Sequence, residues 1–281
     1  LAAAQPERVL ELSATMQEWI DERDLQLSLS KETGTPIAGP LTTARGLVAT
    51  LSEQAPNILL LLVDDLGWTD LSGGSTNLGN GSDFLETPHT DRLAAAGLSF
   101  SHAYSSGPNC APSRAALMSG MWAARTGIYT VGSARRGSAE LRSLEPVENT
   151  TVLDPSVHTL AEALRKGGYR TAHFGKWHLS NNMIPDSPLP SAYGFDRYGA
   201  FNCAGEQIPV HEDARNAIDF IETSHAEGKP FFINLWLHEP HTPFHTVPKY
   251  RWRFRELDSE EDNIYASVLS HADDRIGEVL N

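Results

Sequence analysis

The 281 residues, 40% hydrophobic and 21% charged, suffice for one large domain or two of ordinary size, and the composition is that of a globular chain, neither collagen-like nor largely disordered. A formal net charge of −14 argues against a general nucleic-acid binder, and any anionic ligand would need a local cluster of cations inside a repelling field. The longest apolar run, NILLLLV at 57–63, is far short of the ~20 residues that span a bilayer, and two cysteines, Cys110 and Cys203, cannot build a disulfide framework.

Residues 1–55 differ in pattern from the rest of the chain. Val9, Leu10, Leu12, Met16, Trp19 and Ile20 recur at helical spacing, which predicts an amphipathic helix over 7–23. A stretch rich in Gly, Pro, Ser and Thr comes next and reads as a linker, with a boundary near Ala55. No basic segment followed by a sustained apolar one opens the chain, so no secretory signal is visible; lacking an initial Met, it reads as a fragment or a processed form.

From Pro56 onward, short apolar runs alternate with helical patterns, the signature of an α/β domain with a mostly parallel central sheet flanked by helices. Strands are expected at 57–63, 98–104, 169–174 and 231–237. In VHTLAEALRKGG, Thr159 and Glu162 form a capping box and two glycines supply the stop. Ala217, Ile218 and Ile221 mark a second helix ending at Gly228, and Ile264, Val268, Ile276 and Val279 mark a last one.

Chemistry-bearing residues come directly after each expected strand. Asp64 and Asp65 follow the first, Cys110 the second, Lys176 and His178 the third, and His238 and His241 the fourth. In open parallel sheets, ligands bind outside the carboxyl ends of the strands, so four parallel strands would bring these groups to one edge. Adjacent carboxylates either face different ways into solvent or share a hard cation such as Ca²⁺ or Mg²⁺, whose shell two residues cannot complete. Lys176 and His178 read as a surface loop, or as a fixed cation for an anionic substrate beside a proton donor. His238, Glu239, His241 and His245 form a conceivable zinc set, but Pro240 and Pro243 break the segment and no helix can carry it. Cys110 reads as a small buried hydrophobe, or as a thiolate nucleophile with His178 or His241 as base. The second reading is favoured by Pro112 in the first turn of a helix and Arg114 one turn in, which put the cysteine at an anion-attracting helix start.

CAPSR at 110–114 resembles the first signature of the sulfatases, and GYRTAHFGKWH at 168–178 resembles their second. Three further blocks, NILLLLVDDLGWTDL, TPHTDRLAAAGLSFSHAYSSGPNCAPSRAALMSG and KPFFINLWLHEPHTPF, are similar to this family in order and spacing, so the resemblance covers about 56–281. It implies an alkaline-phosphatase-like fold and hydrolysis of a sulfate monoester, of a sulfated carbohydrate or an aryl sulfate. It also implies that a formylglycine-generating enzyme oxidises Cys110, and that one hydroxyl of the hydrated aldehyde attacks sulfur while the second later expels sulfate. Asp64, Asp65 and the modified Cys110 would hold Ca²⁺ (or Mg²⁺), and Arg114 and Lys176 would neutralise the sulfate. His241 would protonate the leaving oxygen, and His178 would deprotonate the hemiacetal. A phosphonate or phosphodiester hydrolase of the same superfamily is the alternative, as is an inactive anion-binding fragment. By the same resemblance, further metal ligands lie beyond Asn281, so the isolated chain is expected to turn over little sulfate ester. Residues 1–55 resemble the last helix of bacterial sulfatases, as if a preceding unit ended there, and a periplasmic or extracellular location is implied.

Overall fold

The computed structural model describes residues 55–72, 79–100, 102–135, 137–181, 184, 186–201 and 211–281. The helix expected over 7–23, its linker and Cys203 lie outside the described residues. The compact unit Ile58–Asn281 carries all the strands and helices named here.

Four strands form one sheet: β1 (Ile58–Asp64), β2 (Arg170–Lys176), β3 (Arg197–Phe201) and β4 (Phe231–Pro240). Their order is β1-β4-β2-β3 and every neighbouring pair is parallel. β4 lies between β1 and β2, and all ten of its residues are buried, as expected for a strand covered on both faces. Alternate residues serve the two faces. Phe231, Ile233, Leu235 and Leu237 join Ala172 and Phe174 of β2 in a core completed by Ala217 and Phe220 of α5 (Asp213–Ala226) and by Ala272 and Ile276 of α7 (Glu260–Leu280). Phe232 and Trp236 turn the other way, Phe232 stacking on Phe195 and Trp236 on Trp177. Each fully buried side chain of this size is worth about 1.5–3 kcal/mol, so the middle of the sheet is held rigidly.

The remaining helices are α1 (Pro88–Ala96), α2 (Cys110–Ser119), α3 (Ala123–Thr126), α4 (Leu160–Lys166) and α6 (Pro248–Arg253). α4 has the expected capping box, with Thr159 and Glu162 each accepting from the other's backbone N–H. α7 is capped by Ser259 and carries three acidic residues in its first turn, where the helix dipole favours them. From inside α7, the Asp273 carboxylate accepts from the backbone N–H groups of His89 and Thr90 at the start of α1 and locks the two helices together.

The strand expected at 98–104 is absent. Leu98, Phe100 and Tyr104 alternate as a strand would, yet they are 86, 73 and 87% exposed and no strand pairs with them among the described residues. Alternation fixes which way side chains point, but a strand exists only where a neighbour accepts its ladder. The fourth strand is instead β3, a five-residue segment of mixed polarity paired along β2 from Ala172 to Lys176.

Candidate active site

The ends of β1, β2 and β4 meet the start of α2. At the end of β1 the pairing with β4 slips: Val63 faces Leu237 but Asp64 faces Pro240, so His238 and Glu239 form a bulge. Bulges of this kind re-aim side chains. Asp64 is buried, whereas Asp65, at φ 58°, turns outward and is 59% exposed. The two carboxylates therefore separate rather than repel each other at one point.

Asp64 is saturated by cations. Arg114 Nη2 donates to its Oδ1 at 2.8 Å, and Lys176 Nζ donates to its Oδ2. Burial alone would raise its pKa, but Arg114 and Lys176 outweigh that and hold it below the usual carboxylate range. Arg114 is itself placed by a second bond, Nη1 to the Lys176 carbonyl at 2.9 Å, and by Trp236, whose ring lies 4.9 Å below its guanidinium. Cys110 is the first residue of α2; its Sγ stands 3.9 Å from Asp64 Oδ2 and 3.5 Å from Lys176 Nζ. Burial and then the Asp64 charge push the thiol pKa up, which opposes the thiolate-nucleophile reading of this cysteine.

Two glycines make this approach possible. A Cβ on Gly175, at φ 102°, would sit 2.1 Å from the Trp236 carbonyl oxygen. A Cβ on Gly107 would meet the Ser113 amide nitrogen at 2.6 Å, and there Ser113 Oγ donates back to the Gly107 carbonyl at 3.0 Å, tying the loop to α2.

The histidines divide by position. His241 Nε2 lies 3.6 Å from Asp65 Oδ2, and its ring is 4.9 Å from that of His238. His178, at φ 59°, lines a cavity of about 250 Å³ with Ala111, Thr130, Thr151 and Asn181. Burial, followed by Lys176, lowers the pKa values of both His178 and His238 to about 4, so both rings are neutral at pH 7. Thr151, Asn181 and Gly132 also border a wider groove of about 530 Å³ that continues this cavity, a lining no spacing in the sequence pointed to. The conceivable zinc set does not assemble: His241 lies with Asp64, Asp65 and Cys110, while Glu239 lies with His211 and His271.

One ligand atom each from Asp64, Asp65, Cys110 and His241 falls within a 4.8 Å span. Two carboxylates suit a hard divalent cation, although Asp64 Oδ2 now serves Lys176 and most of the oxygen shell must come from other groups. A cleft of about 310 Å³ opens over Asp64, Asp65, Cys110 and Arg114.

The family model Sulfatase matches residues 56–281. N-acetylgalactosamine-6-sulfatase of Mus musculus is 33% identical over 274 residues, covering 85% of this chain and 49% of its own length. A protein of Formosa agariphila described as Sulfatase is 46% identical over 130 residues, 45% of this chain and 23% of its own. Among solved structures, Ps i-CgsB is 27% identical with a TM-score of 0.66, over 81% of this chain and 54% of its own. The chain spans about half the length of the curated relatives it matches. With its family model, its parallel sheet and its relatives in agreement, this chain belongs to the sulfatase family.

Proposed function

We propose that the site works as the sulfate-transfer centre of a sulfuric ester hydrolase acting on a sulfated carbohydrate or aryl sulfate. One observation carries this reading: Arg114, Lys176 and Cys110 converge on the buried Asp64, gathering two fixed cations beside residue 110 in a chain of net charge −14. Relatives named N-acetylgalactosamine-6-sulfatase support a glycan as the substrate class, and the groove lined by Gly132, Thr151 and Asn181 offers room for a sugar.

Asp64, Asp65 and residue 110 would hold a Ca²⁺ ion, with Mg²⁺ the alternative, and the ion would withdraw charge from sulfate oxygens. A formylglycine at position 110, installed by a formylglycine-generating enzyme, would supply the attacking oxygen. Arg114 and Lys176 keep residue 110 in place and present fixed positive charge to the sulfate as charge builds on it, with no reorganisation at the moment of reaction. By the family resemblance, His241, whose Nε2 lies 3.6 Å from Asp65, would give a proton to the leaving alcohol oxygen. By the same resemblance, His178, which lines the cavity beside Ala111, would take a proton from residue 110 when sulfate departs.

Mass spectrometry of the Cys110 peptide, from the chain coexpressed with a formylglycine-generating enzyme, should show the mass loss of thiol-to-aldehyde conversion. Parallel assays of the full-length protein with sulfate and phosphonate esters should favour sulfate. An unmodified thiol in that host, or a preference for phosphonate, would overturn the proposal.

A further inference from the structure

Glu239 comes after His238 in the bulge of β4 and is fully buried, but its carboxylate belongs to a second polar cluster. Arg275 of α7 donates to Glu239 Oε2 at 2.5 Å through Nη2 and to Asp213 Oδ1 at 2.5 Å through Nη1. Oε2 is thereby committed. Oε1 faces His211, whose Nδ1 stands 2.6 Å away but off the line a hydrogen bond needs. The His271 ring, also from α7, lies 4.5 Å from the His211 ring. One ligand atom from each of the three residues falls within 4.8 Å of the others. His211 Nδ1, Glu239 Oε1 and His271 Nδ1 are shielded from solvent, and none has a hydrogen-bond partner among the described residues. An unpartnered buried polar atom costs about 1–3 kcal/mol, so three converging in one place call for a common partner.

We propose that His211, Glu239 and His271 form a second metal site, for a borderline divalent transition ion such as Zn²⁺, separate from the pair Asp64 and Asp65. Two imidazoles and one carboxylate are a zinc donor set, with a fourth position left to water, whereas Ca²⁺ would want oxygens throughout. Arg275 and Asp213 act as the outer support: by fixing one oxygen of Glu239 they aim the other at the ion position. Tetrahedral ligands about 2.0–2.1 Å from zinc stand roughly 3.4 Å apart; the 2.6 Å gap would open and the wider ones would close, within reach of ring rotations.

The test uses Co²⁺ as a visible probe on the chelator-stripped 281-residue chain, in a Cys110→Ser background and with Ca²⁺ in excess. One equivalent of Co²⁺ should give the intense visible bands of a tetrahedral site, and Zn²⁺ should displace it and raise the melting temperature. His211→Ala and His271→Ala should each weaken binding by at least about 100-fold, given that losing an outer-shell partner alone costs 10–100-fold. Asp65→Asn should leave binding unchanged. If an alanine variant fails to fold, His271→Gln, which keeps the bulk of the side chain, replaces it. Absence of the bands, binding that survives loss of His271, or binding abolished by Asp65→Asn would each overturn the proposal.

Discussion

Asp64 and Glu239 are both interior carboxylates at strand ends, and each meets a buried arginine, yet the two clusters differ in what they leave unsatisfied. Asp64 has both oxygens occupied, by Arg114 and Lys176, and its free valence lies in the neighbours that surround it. Glu239 has one oxygen on Arg275 and the other on nothing that bonds it, with two imidazoles alongside. The first arrangement sets two cations on one carboxylate; the second gathers lone pairs around one oxygen. The bulge in β4 separates them, sending adjacent residues into clusters of opposite sense.

Cys110→Ala should have the largest effect. In a preparation that hydrolyses sulfate esters, kcat should fall by at least about 1,000-fold, because losing a nucleophile removes the step itself; residual turnover above that level would take residue 110 out of the reaction. Stability separates the two clusters next. Arg275→Leu strands two buried carboxylates, Asp213 and Glu239, and should cost about 3–5 kcal/mol by urea unfolding. Arg114→Leu leaves Asp64 still bonded to Lys176 and should cost less, about 1–3 kcal/mol. The reverse order would show that the two clusters do not differ as described.

Acid should weaken the fold through histidines held neutral by burial. His173 is lowered to about 3, and His178 and His238 to about 4, against an ordinary value of 6.5. Between pH 6.5 and about 4 the unfolded chain binds protons that these folded-state histidines refuse, so stability falls as pH falls through that window, and His173 extends the loss to about pH 3. The melting temperature should drop by roughly 5 °C or more across the window, and a flat profile by calorimetry would refute the assignment. Arg253→Ala is the small effect. Its pair with Glu86 is on the surface, and its loss should change the unfolding free energy by less than about 1 kcal/mol.

Much of the candidate site was legible because its residues cling to strand ends. Asp64 closes an apolar run, Lys176 is the last residue of β2, and Cys110 opens a helix after a Gly- and Pro-rich loop, so local pattern brought them to notice. The capping box of Thr159 and Glu162 was equally local. The segment 98–104 misled because its alternation is as regular as that of a paired strand, while the pairing depends on a distant neighbour. β3 escaped notice for the converse reason: RYGAF carries little pattern, and β2 makes it a strand.

The sequence by itself determined the family signatures, the α/β class and the strand ends at which chemistry collects, since these rest on the order and spacing of neighbouring residues. Only the tertiary structure decided that Asp64 and Asp65 part company, that His241 joins Asp64, Asp65 and Cys110 while His178 lines the cavity beside Ala111, and that Glu239 leaves His238 for His211 and His271. Arg275 lies 62 positions from Asp213 and 36 from Glu239, and no periodicity joins them. Such contacts are set by where helices dock on the sheet, a property of the packed core rather than of any short stretch of chain.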